Sequence, residues 1–136
     1  MNKSKQVQSL PVLNPNAAGI DIGASFHVVA IPPDRSNQSV RTFKAFTGDI
    51  EQMADWLVQQ GITTVAMEST GVYWVAVYEI LEQRGIEAVL ANARDTRSVP
   101  GRKSDVNDAQ WIQRLHACGL LRASFRPESL MVELRS

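Results

Sequence analysis

Four carboxylates stand out by position. Asp21 interrupts the apolar run Gly19 to Gly23, and a charge there is costly to bury unless something compensates it. Glu68 follows the apolar run Ile62 to Met67, at the carboxyl end of an expected strand, where open α/β sheets place their ligands. Asp105 and Asp108 are three residues apart at the expected start of a helix, a spacing that sets both on one helical face. Four converging carboxylates repel one another unless cations lie between them, and oxygen-only ligation favours Mg2+ or Mn2+. Two such ions roughly 3.5–4 Å apart would hold both the attacking and the leaving oxygen of a phosphodiester during in-line displacement. Each acid also has a simpler reading. Asp21 beside glycines suits a turn, and Glu68 before Ser69-Thr70-Gly71 suits a cap. Asp105 with a second acid three residues on resembles a capping box at a helix end whose dipole favours acids. Taken alone, capping accounts for Asp105 and Asp108 as well as metal binding does; the joint pattern favours one site.

The elements that must position these acids follow from periodicity and punctuation. Gly19 to Gly23 and Phe26 to Ile31 read as a hairpin, and Val40 to Phe46, rich in β-branched and aromatic residues, as a third strand. Thr47-Gly48-Asp49 begins a helix in which Ile50, Met53, Ala54 and Leu57 recur at helical spacing, and Gly61 stops it. Ile62 to Met67 is a fourth strand. A second helix places Trp74, Val77, Ile80 and Leu81 on one side and ends at Gly85, before a fifth strand, Ile86 to Ala91. Asn92 to Lys103 reads as a polar loop, and a third helix runs from about Ser104-Asp105 to Cys118-Gly119. The order βββαβαβα predicts an α/β domain, a mixed five-stranded sheet with helices on both faces. It is also the order of the ribonuclease-H-like fold, in which the first and fourth strands are neighbours.

Residues 1–17 read as a flexible leader, 18–125 as the domain, and 126–136 as the start of a following helix or linker in a truncated chain. The 136 residues, 44% hydrophobic and 21% charged, suit one soluble domain with a real core. No apolar run approaches the ~20 residues of a membrane span, and one cysteine, Cys118, leaves no internal disulfide and no zinc spacing. A cytoplasmic location follows. Net charge is zero, yet the segment from Arg94 to Arg126 carries seven basic residues against three acids. A basic segment with carboxylates embedded in it suits a polyanion held beside metal ions, and equally suits a solvated basic face. Arg94, Arg97, Arg102 and Lys103, just before the third helix, are the candidate nucleic-acid contacts. His27 is expected at the surface, and His116 near the helix dipole or DNA. Trp56, Trp74 and Trp111 suit packing, with Trp74 the best candidate for base stacking. Cys118 reads as a helix-end hydrophobe.

Three blocks in order, Gly19-Ile20-Asp21-Ile22-Gly23, Met67-Glu68-Ser69-Thr70-Gly71-Val72-Tyr73-Trp74 and Gly101-Arg102-Lys103-Ser104-Asp105-Val106-Asn107-Asp108-Ala109, resemble the IS110/IS1111 family of insertion-sequence transposases. The resemblance covers Ala18 to Phe125 without departure at the acids. It implies a RuvC-like domain with its DEDD acids on Asp21, Glu68, Asp105 and Asp108, using Mg2+ or Mn2+ to act on DNA phosphodiesters in a mobile element. It further implies an element-encoded guide RNA as partner besides DNA, a homo-oligomeric full-length protein, no membrane, and a C-terminal domain with an attacking serine that this chain lacks. The fragment alone is therefore expected to be incomplete as a recombinase.

Three alternatives stand beside this reading. An actin- or hexokinase-type phosphotransferase shares the G-x-D-x-G strand and hairpin, but needs a second nucleotide-binding half with a glycine-rich phosphate loop. A non-catalytic nucleic-acid-binding or dimerisation module would keep the fold with its acids separated or neutralised by arginine. A Holliday-junction-type nuclease shares the chemistry, yet lacks the second and third blocks.

Overall fold

The computed structural model describes residues 10–121. Strand β1 (Ala17–Ile22) pairs antiparallel with β2 (Phe26–Ala30), which pairs antiparallel with β3 (Val40–Lys44). Helix α1 (Thr47–Gln59) returns the chain to β4 (Thr64–Ser69), parallel to β1, and α2 (Trp74–Gln83) returns it to β5 (Glu87–Leu90), parallel to β4. The sheet order is β3-β2-β1-β4-β5. A short helix α3 (Ala93–Ser98) and the longer α4 (Asp108–Ala117) complete the described chain. The predicted mixed sheet and element order are thus present. Among the described residues no helix is long and apolar enough to cross a membrane.

Alternation along the central strands sorts their side chains between two faces. Ala18, Ile20 and Ile22 of β1, with Val65 and Met67 of β4, join one apolar cluster with Ile50, Met53 and Leu57 of α1 and Val77 and Leu81 of α2. The opposite face offers Ala17, Gly19 and Ala66 along the same strands, and there α4 packs through Trp111, Ile112 and Leu115. Gly19 is required at this contact. A Cβ built on it would strike the backbone of Gln113 and lie 2.7 Å from Ala109 O. The helix backbone therefore rests directly on β1, and Gln113 Nε2 reaches across to donate to Ala17 O at 3.1 Å.

Three helices close in the same way. At α1, Gly61 N donates to Val58 O and Ile62 N to Leu57 O, and Gly61 adopts φ +73°. The same pair of bonds recurs after α2 and α4, the Schellman closure that a left-handed residue permits.

Several boundaries differ from expectation for identifiable reasons. β1 begins at Ala17, and Leu13 and Asn14 donate their backbone N–H groups to Ala117 O, so the described part of the leader is tied to the end of α4. Residues 1–9 of that leader, and the tail from residue 126, lie outside the described residues. The expected polar loop contains α3, whose Asn92 side chain accepts from Arg94 N as its N-cap. Helix α4 starts at Asp108 instead of Ser104-Asp105, because the capping box belongs to Asn107 and Gln110: Asn107 Oδ1 accepts from Gln110 N at 2.8 Å and Gln110 Oε1 from Asn107 N at 3.1 Å. An amide cap therefore displaces the acidic one suggested by sequence.

Candidate active site

The parallel pairing of β1 with β4 sets Asp21 directly beside Glu68 in register. Paired residues share a face, so both carboxylates lie on the face covered by α4, beyond Gly19 and Ala66. Both are half-buried. The small residues beneath α4 bring the start of that helix, and with it Asp108, towards the same strand ends. Electrostatics shows the proximity: the Asp21 carboxyl is raised above its ordinary 3.8, first by burial, then by the charges of Asp108 and Glu68, with Arg102 opposing. Glu68 and Asp108, on two other elements, therefore both act on Asp21.

Asp105 is placed differently. It lies exposed in a turn before α4, not on the helix, so the expected shared helical face with Asp108 does not form. Arg102 instead fills the space beside Asp108. Its Nη2 is 2.7 Å from Asp108 Oδ1, and its guanidinium also donates to Val106 O at 3.1 and 2.8 Å. This residue, expected to grip phosphate, here neutralises an acid and pins the segment in front of α4. Arg94, Arg97 and Lys103 are exposed, and Arg97 Nε donates to Ala93 O at 3.3 Å.

Glu68 has a partner that sequence reading passed over. Thr96 of α3, 4% exposed, places its Oγ1 2.8 Å from Glu68 Oε2 and 2.9 Å from Ala93 O. The Thr96 carbonyl in turn accepts from Trp111 Nε1 at 2.7 Å. The signal available in sequence was weak, a lone threonine in the polar stretch Ala93–Ser98.

The remaining candidates resolve as structural groups. His27 is completely buried, contrary to a surface position, because it points in phase with Val29 and Ile31 while Phe26 is 54% exposed. Burial lowers its pKa. His116 is also buried, with Nε2 2.8 Å from Thr64 Oγ1, at the far end of β4 from Glu68. Burial lowers its pKa while Glu87 opposes, so the expected role on DNA gives way to packing. Trp74 is buried against Tyr78; the exposed aromatic at that turn is Tyr73. Trp56 and Trp111 pack as expected. Burial pushes the Cys118 thiol up, which suits a helix-end hydrophobe.

The donor chemistry, carboxylate oxygens with no nitrogen or sulfur ligand beside them, fits a hard divalent cation. Among the described residues no three His, Cys, Asp or Glu side chains are grouped tightly enough to hold one. Two cavities of about 380 and 370 Å³ are lined by other residues, so the acids lie outside both.

A five-stranded mixed sheet of this order, with acids at the adjacent carboxyl ends of its first and fourth strands, is a RuvC-like member of the ribonuclease-H-like fold. The structure titled T. thermophilus RuvC in complex with Holliday junction substrate matches with a TM-score of 0.57 at 14% identity, covering 81% of this chain and 98% of that one. A second Thermus thermophilus RuvC structure matches with a TM-score of 0.50 at 16% identity over the same shares. At these identities the likeness is one of fold. No curated protein matches the chain. The family model of the IS110 DEDD transposases, described as a transposase, matches residues 18–136, and the chain belongs to that family.

Proposed function

We propose that residues 18–125 form the catalytic unit of a DNA transposase that holds divalent metal through Asp21, Glu68, Asp105 and Asp108 and acts on DNA phosphodiesters. The observation that carries this reading is the register pairing of Asp21 with Glu68, with Asp108 close enough to raise the Asp21 carboxyl. A bound Mg2+ or Mn2+ would neutralise the phosphodiester and activate it towards attack. Asp21 and Glu68 hold fixed positions on the sheet and form the rigid half of the site. Asp108 supplies the third carboxylate from α4. Asp105, exposed in the turn before α4, would complete the set if that segment shifted and released Arg102 from Asp108. Arg102, Lys103, Arg94 and Arg97 then contact phosphates near the scissile bond. DNA and an element-encoded RNA are the proposed partners, the full-length protein acts as a homo-oligomer, and its compartment is the cytoplasm.

The test is transposition by the full-length protein carrying Glu68→Gln or Asp105→Asn. Both variants are expected to fold and to lose transposition by more than about a hundredfold, since groups that merely orient a metal's ligands already cost about 10–100-fold when removed. Retained activity in either removes that residue from the metal set.

A non-catalytic nucleic-acid-binding module is the second reading, and the Arg102–Asp108 pair favours it, since an arginine there neutralises an acid. Replacing Arg102 with alanine separates the two. The catalytic reading predicts weaker DNA binding together with intact divalent-metal dependence, and the module reading predicts no metal dependence in either protein.

A further inference from the structure

We propose that Thr96 is a positioning residue for Glu68, and that α3 is the strut setting the spacing between Glu68 and Asp108. This inference rests on the metal-binding reading of those acids. Three observations carry it. First, Thr96 is 4% exposed and its hydroxyl lies 2.8 Å from Glu68 Oε2. The hydroxyl has one proton and two acceptors in range, Glu68 Oε2 and Ala93 O. An ionised carboxylate is the stronger acceptor, so the proton goes to Glu68. That bond fixes the rotation of the carboxylate, engages Oε2, and leaves Oε1 for a cation.

Second, the strut is anchored at its other side. The Thr96 carbonyl accepts from Trp111 Nε1 at 2.7 Å in a buried contact, and Trp111 stands one helical turn after Asp108. Glu68 on β4 and Asp108 on α4 are therefore linked through one residue, hydroxyl to the first and carbonyl to the helix of the second. Third, Ala93 O at 2.9 Å gives the hydroxyl somewhere else to donate. Were Glu68 to turn away, the proton could rotate to Ala93 O, so no buried donor would be left unpaired at a desolvation cost.

Outer partners of this kind typically change metal affinity by about 10–100-fold when removed. The experiment is Mn2+ binding to the full-length protein with its DNA substrate, followed by electron paramagnetic resonance, with melting temperature measured alongside. Thr96→Val keeps the shape and removes the hydroxyl; it is expected to weaken Mn2+ binding about tenfold, and Thr96→Ser to restore it to within about threefold of the parent. Thr96→Ala carries the same expectation if valine disturbs packing. Hydroxyl-free variants that melt lower yet bind Mn2+ like the parent overturn the proposal, since a purely structural threonine behaves that way. Glu68→Gln separates the two readings. If it also binds Mn2+ like the parent, the metal-binding reading falls with this one. If it loses binding while Thr96→Val does not, only the strut falls.

Discussion

The two faces of the sheet are built from alternate residues of the same strands, yet they do opposite work. Towards α1 and α2, β1 and β4 present Ala18, Ile20, Ile22, Val65 and Met67, all buried within one apolar cluster. Towards α4 they present Ala17, Gly19, Ala66 and then Asp21 and Glu68. The first face gains stability from volume, since large aliphatic side chains each remove much apolar area from water. The second gives up that volume. Small residues let a helix backbone rest on the strand that carries Asp21, and burial, then the charges of Asp108 and Glu68, raise the Asp21 carboxyl. This face therefore half-buries an acid at a cost to its own stability, which the apolar face offsets.

Gly19→Ala breaks the comparison most severely. The added Cβ meets helix backbone, including Ala109 O at 2.7 Å and Gln113 Cα at 2.9 Å, and backbone cannot swing aside as a flexible side chain can. A loss of about 3 kcal/mol is expected in denaturant unfolding, the upper end of ordinary overpacking costs. Unchanged stability would mean that α4 does not rest on β1 as described.

Asp21→Asn sharpens the comparison with a smaller effect of opposite sign. A folded-state carboxyl held above its ordinary 3.8 binds its proton more tightly than the unfolded chain does. Its contribution to stability is present below 3.8 and is lost as pH rises through the folded value. At neutral pH the ionised side chain opposes folding, so in chelator-treated buffer the asparagine variant should melt roughly 2–4 °C higher. The advantage should shrink as pH falls towards the ordinary carboxylate range. A variant that melts at or below the parent at neutral pH would show that the half-buried, ionised Asp21 does not oppose folding.

The same contrast explains which parts of the fold were legible in sequence. The α1/α2 face was, because Ile50, Met53, Ala54 and Leu57, then Trp74, Val77, Ile80 and Leu81, repeat at helical spacing, and all are buried. Asp21 and Glu68 were legible as charges ending apolar runs. His27 shows where alternation misleads: set among the apolar residues of its strand it suggests the surface, yet its phase is that of Val29 and Ile31, inside. Helix α3 escaped because Ala93–Ser98 is short and polar, with one buried residue, so hydrophobic periodicity has nothing to register. Its fold depends on tertiary bonds, from Thr96 to Glu68 and from Trp111 to Thr96, which span separations that no local pattern encodes. The start of α4 was misplaced because two acids and an amide compete for one cap within four residues, and the Asn107 and Gln110 pair satisfies two backbone groups reciprocally.

The proposed function requires Asp21, Glu68, Asp105 and Asp108 to hold a divalent cation together when DNA is bound. Anomalous diffraction from crystals of the full-length protein with DNA and Mn2+ tests it most directly. The expected result is an anomalous peak beside the proposed ligands Asp21, Glu68, Asp105 and Asp108, with the Arg102 guanidinium moved off Asp108 Oδ1. DNA bound on this face with no peak there, and Arg102 still paired to Asp108, would contradict it.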